Sequence, residues 1–257
     1  MKSYKAYLID LDGTLYNGTQ AIDTAVYFVK HLLKEQIPFK FVTNNATRTP
    51  AQLCEWIYRS FGLKISINHI YTSTMALVDY IQKENQGCSV YVIGEAALKS
   101  QIEASGFLLT DNDTAQLVIQ GLDRQVTYHD LSIGVRSILN GASFLVTNED
   151  RLIPFENGFN PSSGAITSFI QFATAQKPIV FGKPNAPIIE GALKSLNLMA
   201  NDVLMIGDNY ETDILAGINN GVDTLLVLTG VTKAEQIDSL NPKPTFVVEN
   251  LADWTYL

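Results

Sequence analysis

Six short apolar runs, each closing on a polar or glycine-bearing turn, constrain this chain more than any other feature. They fall at residues 7–9, 38–43, 178–182, 203–207, 224–228 and 245–248. Between them lie stretches with apolar residues at helical spacing; Ile22, Val26, Val29 and Leu33 mark one across 21–36. Uninterrupted apolar runs belong to strands buried on both faces, and strands alternating with helices build a parallel sheet covered on both sides. The expected class is therefore α/β. Further helices are expected from Pro50 to about Phe61, with Thr49 as N-cap and Pro50 at the first helical position, and then at 73–84, 186–196 and 212–220.

A second alternation sits inside the first. From Val90 the spacing predicts strands at 90–93, 116–120 and 144–147, helices near 95–105 and 127–139, and an irregular run over 148–165. The strand at 178–182 is assigned to the returning half of the first alternation. The expected organisation is a core of residues 1–75 and 179–257 interrupted by a smaller α/β domain at 76–178.

Charge and cysteine usage exclude several function classes. The chain has 257 residues and a formal net charge of −8, with a sequence pI near 4.9. That balance disfavours nucleic-acid binding and attraction to an anionic membrane. No apolar stretch approaches the roughly 20 residues of a membrane span, and the N-terminus carries no signal-peptide apolar region, so a cytoplasmic location is expected. Cys54 and Cys88 are far apart in sequence and are expected to be core thiols, without a disulfide or a cysteine zinc site. His31, His69 and His129 are scattered and form no metal-ligating pair.

Four strand ends carry the chemistry. The first run ends in Asp10-Leu11-Asp12-Gly13-Thr14, and strand alternation sends both carboxylates roughly the same way, where they repel unless a divalent cation or a proton intervenes. An EF-hand calcium loop is a poor alternative, because Gly13 comes too early for a third oxygen ligand. Thr43-Asn44-Asn45 offers a hydroxyl, carboxamides and backbone N–H groups just before a helix, a setting suited to phosphate. Gly182-Lys183-Pro184 adds one ammonium. Gly207-Asp208 ends a strongly apolar run, and Asp213 follows five residues later, where it could hold metal-bound waters or orient Lys183. Each segment taken alone also reads as an ordinary polar turn, and ligands of open α/β sheets gather at the carboxyl ends of strands, so convergence is what gives the set its meaning.

Taken in order, D-x-D-G-T, T-N-N, G-K-P and G-D-x-x-x-T-D resemble the motif series of the haloacid dehalogenase superfamily. T-N-N-A-T-R-T, V-Y-V-I-G-E and the G-D-N form narrow the resemblance to its NagD-like phosphatases with a type IIA cap, such as the acid sugar phosphatases. The resemblance implies a Rossmann-like parallel-sheet core with an inserted C2 cap domain. It also implies a Mg²⁺-dependent phosphatase acting on small phosphorylated metabolites through a phospho-aspartyl intermediate. Asp10 would be the nucleophile and Asp12 the proton shuttle. Asp10, Asp12 through its backbone carbonyl, and Asp208 would hold the metal, with Asp213 behind them. Thr43, Asn44, Asn45 and Lys183 would hold phosphate.

Acid-sugar or sugar phosphates are the expected substrates; a nucleotide monophosphatase or a broad phosphatase of the 4-nitrophenyl phosphate type is the alternative. A phosphoacceptor signalling domain and a non-catalytic phosphate-binding protein stand further off. Substrate choice is expected in the cap loop 148–165, where this chain has N-E-D for the relatives' N-P-D and P-S-S-G-A for their P-G-x-G-A. Ser162 and Ser163 are expected to stiffen that loop, and Glu149, Asp150 and Glu156 to disfavour polyanions. Arg48 is a candidate for a second anionic group, and an apolar cap surface could support a homodimer.

Overall fold

A computed structural model describes residues 3–155 and 158–254, so Glu156 lies outside the described residues. The described residues divide into two compact units, one drawn from Met1–Thr43, Pro50–Tyr71 and Lys183–Leu257, the other from Asn44–Thr49 and Thr72–Gly182.

The first unit is built on a six-stranded sheet. Its strand order is Phe246–Val248, Asp223–Val227, Val203–Gly207, Ala6–Ile9, Phe39–Thr43, Ile70–Thr72. The four pairings from Phe246–Val248 across to Phe39–Thr43 are parallel, with Ile9 opposite both Ile206 and Phe41. Every residue of Ala6–Ile9, Phe39–Thr43 and Val203–Gly207 is buried. Burial on both faces is why these runs lack polar alternation. Helix Asp23–Lys34 buries Ala25, Val26, Phe28, Val29 and Leu32 along one stripe, while Ile22 and Leu33 flank it against the same core. Of these, Val26, Phe28, Val29 and Leu32 each contribute about 1.5–3 kcal/mol by burial. In a core this dry, a carboxylate just past a strand end must find partners or protonate.

The second unit has its own parallel sheet, ordered Ile179–Val180, Ser143–Val146, Leu117–Gln120, Ser89–Ile93, Leu108–Leu109. The run at 178–182 therefore does not open the returning half of the first sheet. Ile179 and Val180 pair with Leu145 and Val146 instead, because a short apolar run specifies a strand but not its partner. Two further expectations change. The run 148–165 is not irregular throughout: Leu152–Phe155 and Gly158–Pro161 form an antiparallel hairpin, and a helix, Ser163–Thr174, begins within it. Cys54 and Cys88 are free and half-buried rather than core thiols. On helix Pro50–Phe61, Leu53 and Ile57 take the buried stripe and leave Cys54 at its flank. No helix among the described residues is long and apolar enough to cross a membrane.

Candidate active site

Asp10 follows directly on Ala6–Ile9, and its N–H extends the ladder by donating to the Ile206 carbonyl at 2.9 Å. Asp208 follows Val203–Gly207, the adjacent strand, and Thr43 ends the strand on the other side. Three neighbouring parallel strands thus deliver Asp10, Asp208 and Thr43 to one edge, and all three residues are buried. Asp213 joins them by a different route. Residues Tyr210–Ile214 wind as a wide π turn, with the Ile214 N–H donating to the Asn209 carbonyl, and this folds the buried Asp213 carboxylate back onto the Asn209 N–H at 3.1 Å. Asp10, Asp208 and Asp213 each place a carboxylate oxygen within 4.8 Å of the others.

Lys183 sits within this acid cluster. Its ammonium donates to Asp10 Oδ1, to Asp213 Oδ1 at 2.8 Å and to the Val42 carbonyl at 2.8 Å. The sequence places Lys183 among the phosphate-holding residues. In the structure its three protons first tie two acids to a strand end.

Asp208 is closed in from the other side. Its Oδ1 accepts from the Thr14 hydroxyl at 3.2 Å and its Oδ2 from the Val231 N–H at 2.7 Å. A Cβ at Gly13, where φ is +90°, or at Gly230 would overlap this carboxylate. The glycine of D-x-D-G-T is thus required twice, for its left-handed backbone and for its missing side chain.

The charges do not balance. Three carboxylates face one ammonium, an excess of two negative charges if all are ionised. Burial pushes the Asp10 carboxyl well above its usual range, and repulsion from Asp213 and Asp208 adds to this against the pull of Lys183. Burial and Asp213 likewise push Asp208 up to about 7, opposed by the Val231 N–H and the Thr14 hydroxyl. Burial works against the Lys183 ammonium, but Asp10 and Asp213 outweigh it and hold the group charged above its ordinary range. A divalent cation supplies the two missing charges, and an all-oxygen donor set suits a hard one. The cluster thus fits a divalent metal.

Because the folded state favours the protonated form of Asp208, the stability this gives is present below the ordinary value of 3.8 and lost as pH rises through about 7. Thermal scans of chelator-treated protein should show the melting temperature falling between about pH 5 and about pH 8, with Asp208→Asn flattening the fall. A parent protein that gains stability over that window would contradict this account of the buried carboxylate.

Asp12 lies outside the buried cluster. It is exposed, and its Oδ2 accepts from the Tyr16 hydroxyl at 3.1 Å.

The segment after Thr43 belongs to the second unit and is tightly held there. The Asn44 carbonyl accepts from Ser73 Oγ at 3.0 Å and Asn148 Nδ2 at 2.8 Å, and its carboxamide donates to Asp150 Oδ1 at 3.0 Å. The Asn45 carboxamide oxygen closes a local turn on the Thr47 N–H and hydroxyl. Arg48 is half-buried on the same segment. Asn148 and Asp150 of N-E-D, read from sequence only as loop and charge, therefore fix Asn44; the signal was their carboxamide and carboxylate chemistry, not their spacing. Asp150 is engaged with a carboxamide, whereas Glu149 is exposed.

The serines of P-S-S-G-A do not strain the loop. Ser162 has an ordinary extended backbone at φ −106°. Ser163 accepts the Gln120 carboxamide on its hydroxyl at 3.0 Å, inside a buried cluster with Thr167. The glycine that matters is Gly164, where a Cβ would come within 2.5 Å of the Glu149 carbonyl.

Known proteins resemble this chain along its whole length. Residues 7–108 match the haloacid dehalogenase-like hydrolases and residues 180–254 a HAD-hydrolase-like family. The chain is 44% identical over 254 residues to the 5′-nucleotidase YutF of Bacillus subtilis, covering 99% of this chain and 98% of that one. It is 42% identical to an acid sugar phosphatase of Staphylococcus saprophyticus, covering 98% and 96%. Among solved structures, a single mutant of a thermostable NPPase from Geobacillus stearothermophilus superposes with a TM-score of 0.93 at 43% identity, over 100% of both chains. NagD of Escherichia coli K-12 does so with a TM-score of 0.91 at 30% identity, again over 100% of both. With its motifs at the carboxyl edge of a six-stranded sheet and likeness along its whole length, the chain belongs to the haloacid dehalogenase superfamily, as a NagD-like phosphoric monoester hydrolase.

Proposed function

We propose that this hydrolase cleaves small sugar or acid-sugar phosphates with Mg²⁺ as cofactor and Asp10 as nucleophile. The observation that carries the reading is the buried cluster of Asp10, Asp208 and Asp213, oriented by Lys183 and short of two positive charges. A carboxylate oxygen of Asp10 forms a bond to phosphorus as the bond from phosphorus to the ester oxygen breaks, and Asp12 gives its proton to that departing oxygen. Water then attacks the phospho-aspartate; Asp12 takes a proton from it, the Asp10 carboxylate is restored and inorganic phosphate leaves. Asp10, the Asp12 backbone carbonyl and Asp208 would hold the metal, which when bound neutralises phosphate and carboxylate charge. Thr43, Asn44, Asn45 and Lys183 bind the phosphate oxygens, Lys183 while keeping Asp10 in line. Asp213 holds Lys183 rather than substrate, in keeping with its short bond to the ammonium.

Residues 76–178 act as the C2 cap that selects the alcohol. Support comes from the parallel sheet they build together with Ile179 and Val180, and from the bonds of Asn148 and Asp150 to Asn44, which link the selecting loop to a phosphate-binding residue. Nucleoside monophosphates are the second reading, favoured by the relative named a 5′-nucleotidase.

Phosphate release from a panel of sugar phosphates, acid-sugar phosphates, nucleoside monophosphates and 4-nitrophenyl phosphate, in Mg²⁺ and in chelator, separates these readings. The expected outcome is activity only with metal and the highest kcat/KM on a sugar or acid-sugar phosphate. A nucleotide at the top of the panel would replace the first substrate class by the second, and full activity in chelator would overturn the cofactor.

A further inference from the structure

Beyond Asp12 the chain reverses within four residues. Thr14, Leu15 and Tyr16 each donate an N–H to the Leu11 carbonyl, and Gly13 donates to the Tyr16 carbonyl at 2.7 Å. Asp12 and Tyr16 are thereby bridged as backbone neighbours. The Tyr16 ring is buried and fixed on two sides: Trp56 meets it edge-on with centroids 4.6 Å apart, and Phe61 stacks at 5.4 Å with planes 21° apart. Trp56 and Phe61 in turn meet each other edge-on at 5.1 Å. The three rings form a rigid cluster, and the Tyr16 hydroxyl at its rim donates to Asp12 Oδ2.

Asp12 is exposed, and an aspartate has two side-chain rotors to populate unless its partners hold it. A phenol locked by two aromatic neighbours has almost no freedom to lose when it bonds the carboxylate. We propose that Tyr16 is a positioning residue that fixes the Asp12 carboxylate for proton transfer to the departing ester oxygen. This rests on the reading of Asp12 as the proton donor. Tyr16 touches no reacting atom; it acts by holding the carboxylate on the line of transfer, where misplacement by about 1 Å costs up to about 100-fold.

The test is a leaving-group series. Esters of acidic phenols need little proton donation, whereas alkyl esters need a great deal, so a misplaced donor costs most on the poorest leaving group. Values of kcat/KM, which report steps through departure of the alcohol, are measured for Tyr16→Phe, Asp12→Asn and the parent on substituted phenyl phosphates and alkyl phosphates. Tyr16→Phe keeps the ring contacts. Its loss is expected to be about threefold or less on 4-nitrophenyl phosphate and to grow to about 10–100-fold on alkyl phosphates, with Asp12→Asn following the same trend more steeply. An inactive or unfolded fraction lowers every ester by one factor, so the gradient survives incomplete folding. A steep Asp12→Asn series beside a flat Tyr16→Phe series would overturn the role of Tyr16 and leave Asp12 as donor. A flat Asp12→Asn series would overturn both.

Discussion

Asp10→Asn should lower phosphate release from every monoester by at least about 10⁴-fold, because a carboxamide cannot form the acyl-phosphate bond that the two-step route requires. The substitution is nearly isosteric, so the loss should not come from a collapsed site. Lys183 keeps two partners, Asp213 at 2.8 Å and the Val42 carbonyl at 2.8 Å. What the ammonium loses is offset by relief of repulsion, since burial, Asp213 and Asp208 all work against an ionised Asp10. The melting temperature of the metal-free variant should therefore lie within about 4 °C of the parent, roughly what 1 kcal/mol moves in a chain of this size. Activity is read by colorimetric phosphate release and folding by a thermal scan in chelator, with intact mass to exclude deamidation back to aspartate. Residual turnover within 100-fold of the parent would remove Asp10 as nucleophile. A melting temperature more than about 10 °C lower would instead locate its main role in holding the fold.

Two members of the acidic cluster, Asp10 and Asp208, were legible in the sequence because each follows an apolar run whose burial leaves little doubt about its direction. Asp10 and Asp208 follow adjacent strands that meet where the strand order of the sheet reverses, the point at which open α/β sheets gather their ligands. Asp213 was legible only as a carboxylate near a helix start; the π turn that folds it onto Lys183 has no local signature. Helix Ser163–Thr174 was hidden for a clearer reason. Its buried stripe is Ser163, Thr167, Ile170 and Thr174, while Phe172 is 94% exposed, so apolarity and burial run in opposite senses. The buried hydroxyls are satisfied by Gln120 and by carbonyls one turn back, partners that no periodicity reports. The strand Ile179–Val180 failed differently. Its type was right and its sheet wrong, because two apolar residues fit either sheet and only the register with Leu145 and Val146 decides. Tyr16 and Asn148 escaped notice because their work is done through a second residue, Asn148 from 104 positions away.

Lys183→Met should cost more stability than any other single change at the site. Methionine matches the length of the stem but removes the positive charge among three buried carboxylates and leaves the Val42 carbonyl without its ammonium donor. Breaking one side of a buried ion pair costs about 3–5 kcal/mol. At about 2–4 °C per kcal/mol, the metal-free variant should melt about 6–20 °C below the parent. If charge is the cause, the deficit must depend on pH in a definite sense. Without the ammonium, which pulls against burial at Asp10, that carboxyl binds its proton still more tightly in the fold, and a carboxyl whose folded value is raised gives stability at low pH that is lost as pH rises. The deficit should therefore be smallest near pH 5 and largest near pH 8. Mg²⁺ should restore part of it at the higher pH by supplying positive charge, while turnover stays low because the ammonium that aligns Asp10 is gone. A deficit that is equal at both pH values and indifferent to Mg²⁺ would assign Lys183 a packing role and remove the charge argument on which the metal site rests.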